Sequence, residues 1–551
     1  MRRIATEPAA LGREFPGGRA RSVAGELRRR WFPLGVAACS VGVALFVLVQ
    51  LTAYPPHEDE TLPLFVGRKS FVGVLDTVLG QRGGAPLHFV LAWVVAHAGG
   101  GLSGLRLVSA VFATAAVPVI ALLGVRLAGR AVGLAATAIC SASWMLLFHG
   151  VYGRMYSLFL FTGALAFLAL LHAGERGTRR AWALWAVAVL LCVASHPYGA
   201  LVLASQALYV LLAGRRSRSA AAAFLAVAFL GIPFWRTDLV LAGRFDVGVG
   251  HGASTLGSAT AIAAYFESVA GDFTSGYAPV IAVVLVLALV GVVSLARRRR
   301  RSAMLMAAVV AVPLIALVVT RLGSAPPRSG HLIFALPFFA FAVAEGVFRV
   351  ARLGRAKAPV LAAAGILALL PAEVAWGWHS TPELYRGETA AHVAARSEAA
   401  AWLAARSRRD DVLFGYEPLY AQAWGSGAAV SQLVVPRADA RLALTALESA
   451  HKPLGHGVWV FDASEGTNKI RRQTIPLVSP GPGFETVVFG PFLVIRTIRT
   501  TDCVASYLEV ARQVAVAAGR PPLRLGDAGT NRDTVVAAAR LLRGEQHPSP
   551  C

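Results

Sequence analysis

Three acids stand side by side, Glu58, Asp59 and Glu60 in the stretch YPPHEDET, within a chain that is otherwise basic and apolar. Adjacent carboxylates raise one another's proton affinity, and a carboxylate beside an apolar wall can act as a general base toward a hydroxyl. Carboxylate oxygens also suit a hard divalent cation. A second set is cationic: Arg106 in LRLVSA, Arg154 in YGRMYS, His196 in SHPYG, and Arg328 and His331 in PPRSGHLIF. The guanidinium fork matches phosphate geometry and keeps its charge, so a ring of Arg and His suits a phosphate or pyrophosphate. A lone Arg at a span end would simply reach lipid head groups. Five basic positions gathered on the face that carries three acids point instead to a site. Glu267 and Asp272, in AYFESVAGDF, are further candidates for an acceptor or metal site, and Glu58 is a supporting acid.

The elements that must position these residues are apolar. Of 551 residues, 56% are hydrophobic and 15% charged, and the mean hydropathy of +0.59 is that of a polytopic membrane protein. A formal net charge of +23 would suggest nucleic acid in a soluble chain. Basic residues flanking apolar spans report membrane orientation instead, so no nucleic acid partner is expected. Cys39, Cys140 and Cys192 lie in apolar runs and Cys503 and Cys551 beyond them, too scattered for a disulfide framework or a zinc site. The apolar run 31–53 follows the basic segment RSVAGELRRR and is longer than a signal-peptide core, so it is expected to remain as a first span.

Apolar segments occupy about 33–53, 105–126, 131–148, 155–172, 181–195, 198–213, 218–235, 277–296, 303–321, 331–350 and 358–377, giving about eleven spans. The stretch 85–98, APLHFVLAWVVAHA, is shorter and is followed by GGGLSG. Cytoplasmic loops are enriched in Lys and Arg. The clusters RLAGR (126–130), ERGTRR (175–180), GRRSR (214–218), ARRRRR (296–301) and RVARLGRAK (349–357) all face the cytoplasm with the N-terminus only if 85–98 does not cross. It is therefore read as a juxtamembrane helix. The resulting organisation is a basic cytoplasmic tail at 1–32 and a transmembrane domain at 33–377, with external loops at 54–104 and 236–276. From 378 to 551 the hydropathy drops, and short apolar runs such as DVLFGY, GVWVFD and FLVIRT alternate with helical stretches such as AARSEAAAWLAARS (394–407) and SYLEVARQVAVAAG (506–519). This predicts an extracytoplasmic soluble α/β domain. It contains neither GxGxxG nor a phosphate loop, so nothing supports a nucleotide site there.

The order of motifs resembles the GT-C superfamily of integral membrane glycosyltransferases, in the branch of dolichyl-phosphate-mannose protein mannosyltransferases and aminoarabinose transferases. One span leads into a loop with Asp59-Glu60, then comes the juxtamembrane GGAPLHFVL, then a span opening LRLVSA. GRMYSLFLF, SHPYG and PRSGHLIFALPFF follow, so the resemblance covers roughly residues 33–350. APLH stands where the family more often has a double proline, and RSGHL is more spread out than usual.

The resemblance implies an inverting transfer of a sugar from a polyprenyl-phosphate donor to a glycan, lipid or protein acceptor on the outer face of the plasma membrane, with membrane lipids around the spans. Asp59 would be the base and Glu60 would shape the pocket or bind acceptor. Arg106, Arg154, His196 and Arg328, with His331 beside them, would neutralise the phosphate leaving group. The family has no uniform metal requirement and the chain has no separate Asp-x-Asp motif, so no cofactor is required and a divalent cation is optional. The alternative is a transporter or a flippase for lipid-linked sugars. Such proteins place ionisable residues near the bilayer midplane and show paired repeats or broken helices, whereas the span middles here are almost free of charge and no two halves correspond.

Overall fold

The computed structural model describes residues 17–214, 217–245, 258–319, 327–381, 389–425, 430–431, 433–435, 446–447, 450, 453–462 and 483–500. Cys503 and Cys551 and the helical stretch expected near 506–519 lie outside these residues.

The first helix, α1 (Gly17–Gln50), delivers the chain to YPPH and the short helices α2 (Glu58–Gly67) and α3 (Phe71–Asp76). A π-helical turn at Thr77–Arg82 leads to α4 (Pro86–His97). At 1.5 Å per residue, α4 is only about 18 Å long, short of the roughly 30 Å hydrocarbon layer. The bundle continues through α5 (Leu102–Leu127), α6 (Arg130–Ala142), α7 (Trp144–Val151), α8 (Tyr156–Arg176), α9 (Arg179–Ser195), α10 (Gly199–Leu212), α11 (Arg218–Leu230) and α12 (Ile232–Phe245). It closes with α13 (Ala259–Phe273), α14 (Ala278–Arg298), α15 (Arg300–Val319), a 3-10 turn at Ser329–Ala335, α16 (Leu336–Ala351) and α17 (Ala358–Ser380).

All eleven apolar segments fall in helices, but two are broken. The segment 131–148 bends by 54° between α6 and α7, and 218–235 bends by 52° between α11 and α12. Between α16 and α17 the chain passes through Arg355 at φ 50°, a conformation costly for a residue with a Cβ. Among the described residues, six helical stretches are long and apolar enough to cross a membrane, or up to eight if each bent pair is one span. The region expected as the external loop 236–276 is largely helical where described, because α12 runs on to Phe245 and AYFESVAGDF lies in α13.

Lipid supplies little hydrophobic force between helices, so close approach of small residues must do the joining. Gly291 of α14 and Gly346 of α16 sit against the backbone carbonyls of Ala342 and Leu287, where a Cβ would collide. The span interiors are not wholly free of acids: Glu345 is buried and accepts a 2.7 Å hydrogen bond from Ser294 Oγ, and Glu373 of α17 is buried as well.

The C-terminal part holds α18 (Ala390–Arg406), α19 (Pro418–Gly425) and a sheet of β1 (Val412–Phe414), β2 (Val434–Val435), β3 (Gly457–Asp462), β4 (Phe484–Phe489) and β5 (Phe492–Thr497). The strand order is β2-β1-β3-β5-β4. β1 runs parallel to β2 and β3, and β5 is antiparallel to both β3 and β4. Ala399 and Leu403 of α18, Tyr420 of α19 and Leu413, Val458 and Val494 of the sheet form one core, and Phe65 of α2 belongs to it. The small domain is thus packed onto the helix that opens with the acids.

Candidate functional site

The three acids occupy the first turn of α2, where the positive end of a helix dipole favours carboxylates. His57 is the N-cap: its Nδ1 accepts from Asp59 N at 3.0 Å, while its own backbone N donates to Glu60 Oε2 at 3.2 Å. This reciprocal cap fixes the turn, and the helical geometry then sends the three side chains in different directions.

Glu60 points into the bundle and is 0% exposed. Its Oε1 accepts from Arg106 Nε at 2.8 Å and from Gly153 N at 2.7 Å, and its Oε2 accepts from Arg106 Nη2 at 2.7 Å. Arg106, 3% exposed, donates further to Leu51 O at 3.1 Å, Tyr54 O at 2.7 Å and Pro55 O at 2.8 Å. A guanidinium has five N–H donors, and these bonds occupy all of them. Arg106, expected to meet a phosphate, instead ties the end of α1, the YPP turn and α2 to the start of α5. Gly153 approaches Glu60 so closely that a Cβ there would stand 3.1 Å from Oε1.

Asp59 points the other way and its side chain is 50% exposed. Its Oδ1 lies 3.4 Å from Arg154 Nη1, which also donates to the Asp59 backbone carbonyl at 2.9 Å. Arg154 holds the Asp59 carboxyl below the usual carboxylate range against the opposing effect of burial, with His57, Arg82 and Arg328 adding to it. Burial works against the Arg154 charge, but Asp59 together with Tyr156 and Tyr152 outweighs it and the group stays cationic. Arg154 Nε is buried and has no hydrogen-bond partner among the described residues. Of the pair, then, one oxygen-rich and one nitrogen-rich group retain capacity for a ligand.

Beyond Arg154 lies a cluster of rings. His149 and Tyr156 have centroids 4.3 Å apart, His196 and His331 5.5 Å, Tyr156 and His331 6.0 Å, and Tyr198 and His331 5.1 Å. His196 Nδ1 accepts from Tyr198 N at 3.1 Å, which aims the ring, and its Nε2 is buried with no partner among the described residues, as is His149 Nδ1. Burial pushes the His196 imidazole well below its usual range, with His331, Arg154 and His149 adding to the effect, so it is neutral near pH 7. His331 Nδ1 accepts from Arg328 N at 3.2 Å. The Arg328 side chain is exposed, yet its charge reaches Asp59.

The outlying acids have different settings. Asp272 Oδ2 accepts from Ser329 Oγ at 2.6 Å and thereby fastens α13 to the turn that carries Arg328 and His331. Burial raises its carboxyl above the usual range, opposed by hydrogen bonds from Ser329 and Trp376. Glu267 is exposed and makes no described contact. Glu58 faces the small domain, where its Oε1 accepts from Tyr416 N at 3.2 Å, and Thr61 Oγ1 donates to Tyr416 O. Phe65 packs beside them against Tyr416 and Trp424, with centroids at 5.8 and 4.4 Å. Among the described residues no three of His, Cys, Asp and Glu gather as a metal site.

Several contacts at the site escape a reading of the sequence. His57 caps the acidic turn and also meets Tyr152 Oη at 3.0 Å. Arg82 contributes to the field at Asp59 and lies over the rings of Phe89 and Tyr416 at 5.9 and 5.8 Å. His149 stands in FHGVYGR, a motif whose position near a span end is legible but whose ring contacts are not.

No family model matches the sequence, and no curated protein matches it either. What the structure does show is the fold: it is the GT-C fold, with a small C-terminal sheet. The structure of ArnT from Cupriavidus metallidurans bound to undecaprenyl phosphate superposes with a TM-score of 0.52 at 14% identity, covering 85% of this chain and 98% of that one. The apo form of the Archaeoglobus fulgidus oligosaccharyltransferase gives 0.49 at 12% identity, over 78% of this chain and 70% of that one.

Proposed function

We propose that the chain is a membrane glycosyltransferase that moves a sugar from a polyprenyl-phosphate donor to a hydroxyl-bearing acceptor on the outer face of the plasma membrane, with inversion at the anomeric carbon. The observation that carries the reading is the half-exposed Asp59 carboxylate 3.4 Å from Arg154. In this reading a base for the acceptor and a cation for the donor phosphate stand side by side, at one end of a bundle whose fold is similar to that of ArnT.

In this reading the donor phosphate takes Arg154, with Arg328 and Arg82 adding positive potential and His196 and His149 offering neutral ring nitrogens. As the phosphate claims Arg154, Asp59 loses part of its counter-ion and its proton affinity rises toward that of an ordinary carboxylate. Asp59 then takes the acceptor hydroxyl proton, the oxygen attacks the anomeric carbon, and the bond from that carbon to the phosphate oxygen breaks. The charge that develops on the departing polyprenyl phosphate falls on the fixed cations. Glu60 and Arg106 hold the frame and take no part in proton transfer. These side chains supply the neutralisation, so a divalent cation is optional.

The test is mass spectrometry of cell-envelope glycans, glycolipids and glycoproteins from cells with and without the protein. Loss of one sugar modification supports a transferase and names both sugar and acceptor. An unchanged envelope with altered lipid-linked sugar distribution across the membrane would favour the transporter or flippase instead.

A further inference from the structure

At the opposite end of the bundle from Asp59 the helices enclose a second polar site. Arg106 and Arg126 both lie on α5, twenty residues apart, which is about 30 Å along a helix and matches the hydrocarbon thickness. At the Arg126 end a cavity of about 220 Å³ is lined by Arg126, Glu175, Arg301, Ser302, Trp182 and Tyr209, with apolar side chains between them. Its floor is built: Ser302 Oγ donates to Leu127 O at 2.9 Å, and Arg299 Nη1 donates to the same carbonyl at 3.4 Å. The last carbonyl of α5 is therefore capped and does not repel an anion entering the cavity.

The charges in the wall are two arginines and one glutamate. Arg126 pairs with Glu175 through Nη1, and no other partner of its guanidinium is found among the described residues. Arg301 is exposed and makes no described contact with an acceptor. The same helix ends expose Leu184, Leu211 and Leu212. The volume is below the roughly 300–1,000 Å³ of pockets for drug-sized ligands, so the cavity suits a head group whose chains run outside it. Basic pockets between spans at one membrane face are suited to anionic lipid head groups.

We infer that this cavity binds a phosphate group, that of an anionic phospholipid whose acyl chains lie along the neighbouring helix surfaces. Arg301 is the main contact and Arg126 the second, its fork shared between Glu175 and the phosphate. This site stands apart from the Asp59 and Arg154 pair and does not depend on the function proposed for it.

The experiment is native mass spectrometry of the full-length detergent-purified protein, titrated with phosphatidylglycerol, with zwitterionic phosphatidylcholine, or with inorganic phosphate. One phosphatidylglycerol is expected per chain, held in preference to phosphatidylcholine. Arg301→Gln, an exposed position with no described contact to disturb, should weaken it about tenfold, the effect of losing one charge-assisted contact. Glu175→Gln releases Arg126 and removes a like charge, and should strengthen binding. If inorganic phosphate shows the same dependence on Arg301 and the lipid is not retained, the phosphate site stands and its source is soluble. Equal retention of both lipids with no effect of Arg301→Gln and no response to inorganic phosphate overturns the proposal.

Discussion

The Glu60 carboxylate receives both Nε and Nη2 of Arg106, at 2.8 and 2.7 Å, where neither side chain meets solvent. A buried pair of this kind owes its value to completeness, because removing one partner leaves the other charged and dry. Its neighbour Asp59 shares the same helical turn but faces outward toward Arg154. One residue along the chain thus separates an acid locked in a buried pair from one that is half exposed.

Removing half of the Glu60–Arg106 pair should damage folding. Glu60→Gln and Arg106→Ala are each expected to cost about 3–5 kcal/mol, read as a lowered Tm and reduced yield of detergent-solubilised protein. A variant at either position that melts like the wild type and merely binds donor less tightly would return Arg106 to the phosphate site.

At Arg154 the effect should fall on binding. Arg154→Gln removes the cation beside Asp59 and leaves Glu60 paired, so the Tm should stay close to the wild type. Donor affinity should drop by roughly 10- to 100-fold, corresponding to the 1.5–3 kcal/mol of a hydrogen bond to a charged group. Equilibrium binding of a polyprenyl-phosphate sugar to the two proteins measures this directly.

The same pair predicts a pH response. Arg154 lowers the Asp59 pKa relative to its unfolded value of about 3.9. The pair's contribution to stability is therefore present above that value and is lost as pH falls through the lower folded one. Asp59 is half exposed, so this contribution is small. For activity, the acid limb of kcat/KM, which reports the free enzyme, should lie below the ordinary carboxylate range. In the residual activity of Arg154→Gln the limb should move up. An unmoved limb would mean that another group is titrating.

The small domain should act on the site through α2. Phe65 lies in the core of that domain, and Glu58 and Thr61 bond to the backbone of Tyr416. Phe65→Ala should cost about 3–5 kcal/mol locally and speed hydrogen exchange in residues 55–66 and at Tyr416. Glu267→Gln, on an exposed face, serves as the control and should leave both exchange and transfer unchanged.

How much of this was legible in the sequence depends on whether a residue's role is set locally. Acids and arginines stand out against apolar spans because burying charge in lipid is costly, and this drew attention to Glu58, Asp59, Glu60, Arg106 and Arg154. That Arg106 would be fully engaged by Glu60 and by backbone carbonyls was not legible. It depends on Arg106 finding three carbonyls near the end of α1, a tertiary arrangement to which no spacing rule applies. Helices followed apolar runs reliably, since the backbone must satisfy itself in lipid. The bend at Ser143 was hidden, because no proline or glycine marks it and the apolar run continues through it. Arg82 was missed for a related reason: it acts on Asp59 through packing between elements that the sequence does not bring together.

The central claim is that Asp59 removes the acceptor proton while its neighbours only support it. The most direct measurement compares wild-type and Asp59→Asn protein in proteoliposomes loaded with labelled polyprenyl-phosphate sugar and supplied with a cell-envelope extract, following both donor binding and label transfer. Asp59→Asn should bind donor at least as well as the wild type and transfer it about 10²- to 10⁴-fold more slowly, the usual effect of losing a general base. Transfer at the wild-type rate by Asp59→Asn would contradict the account.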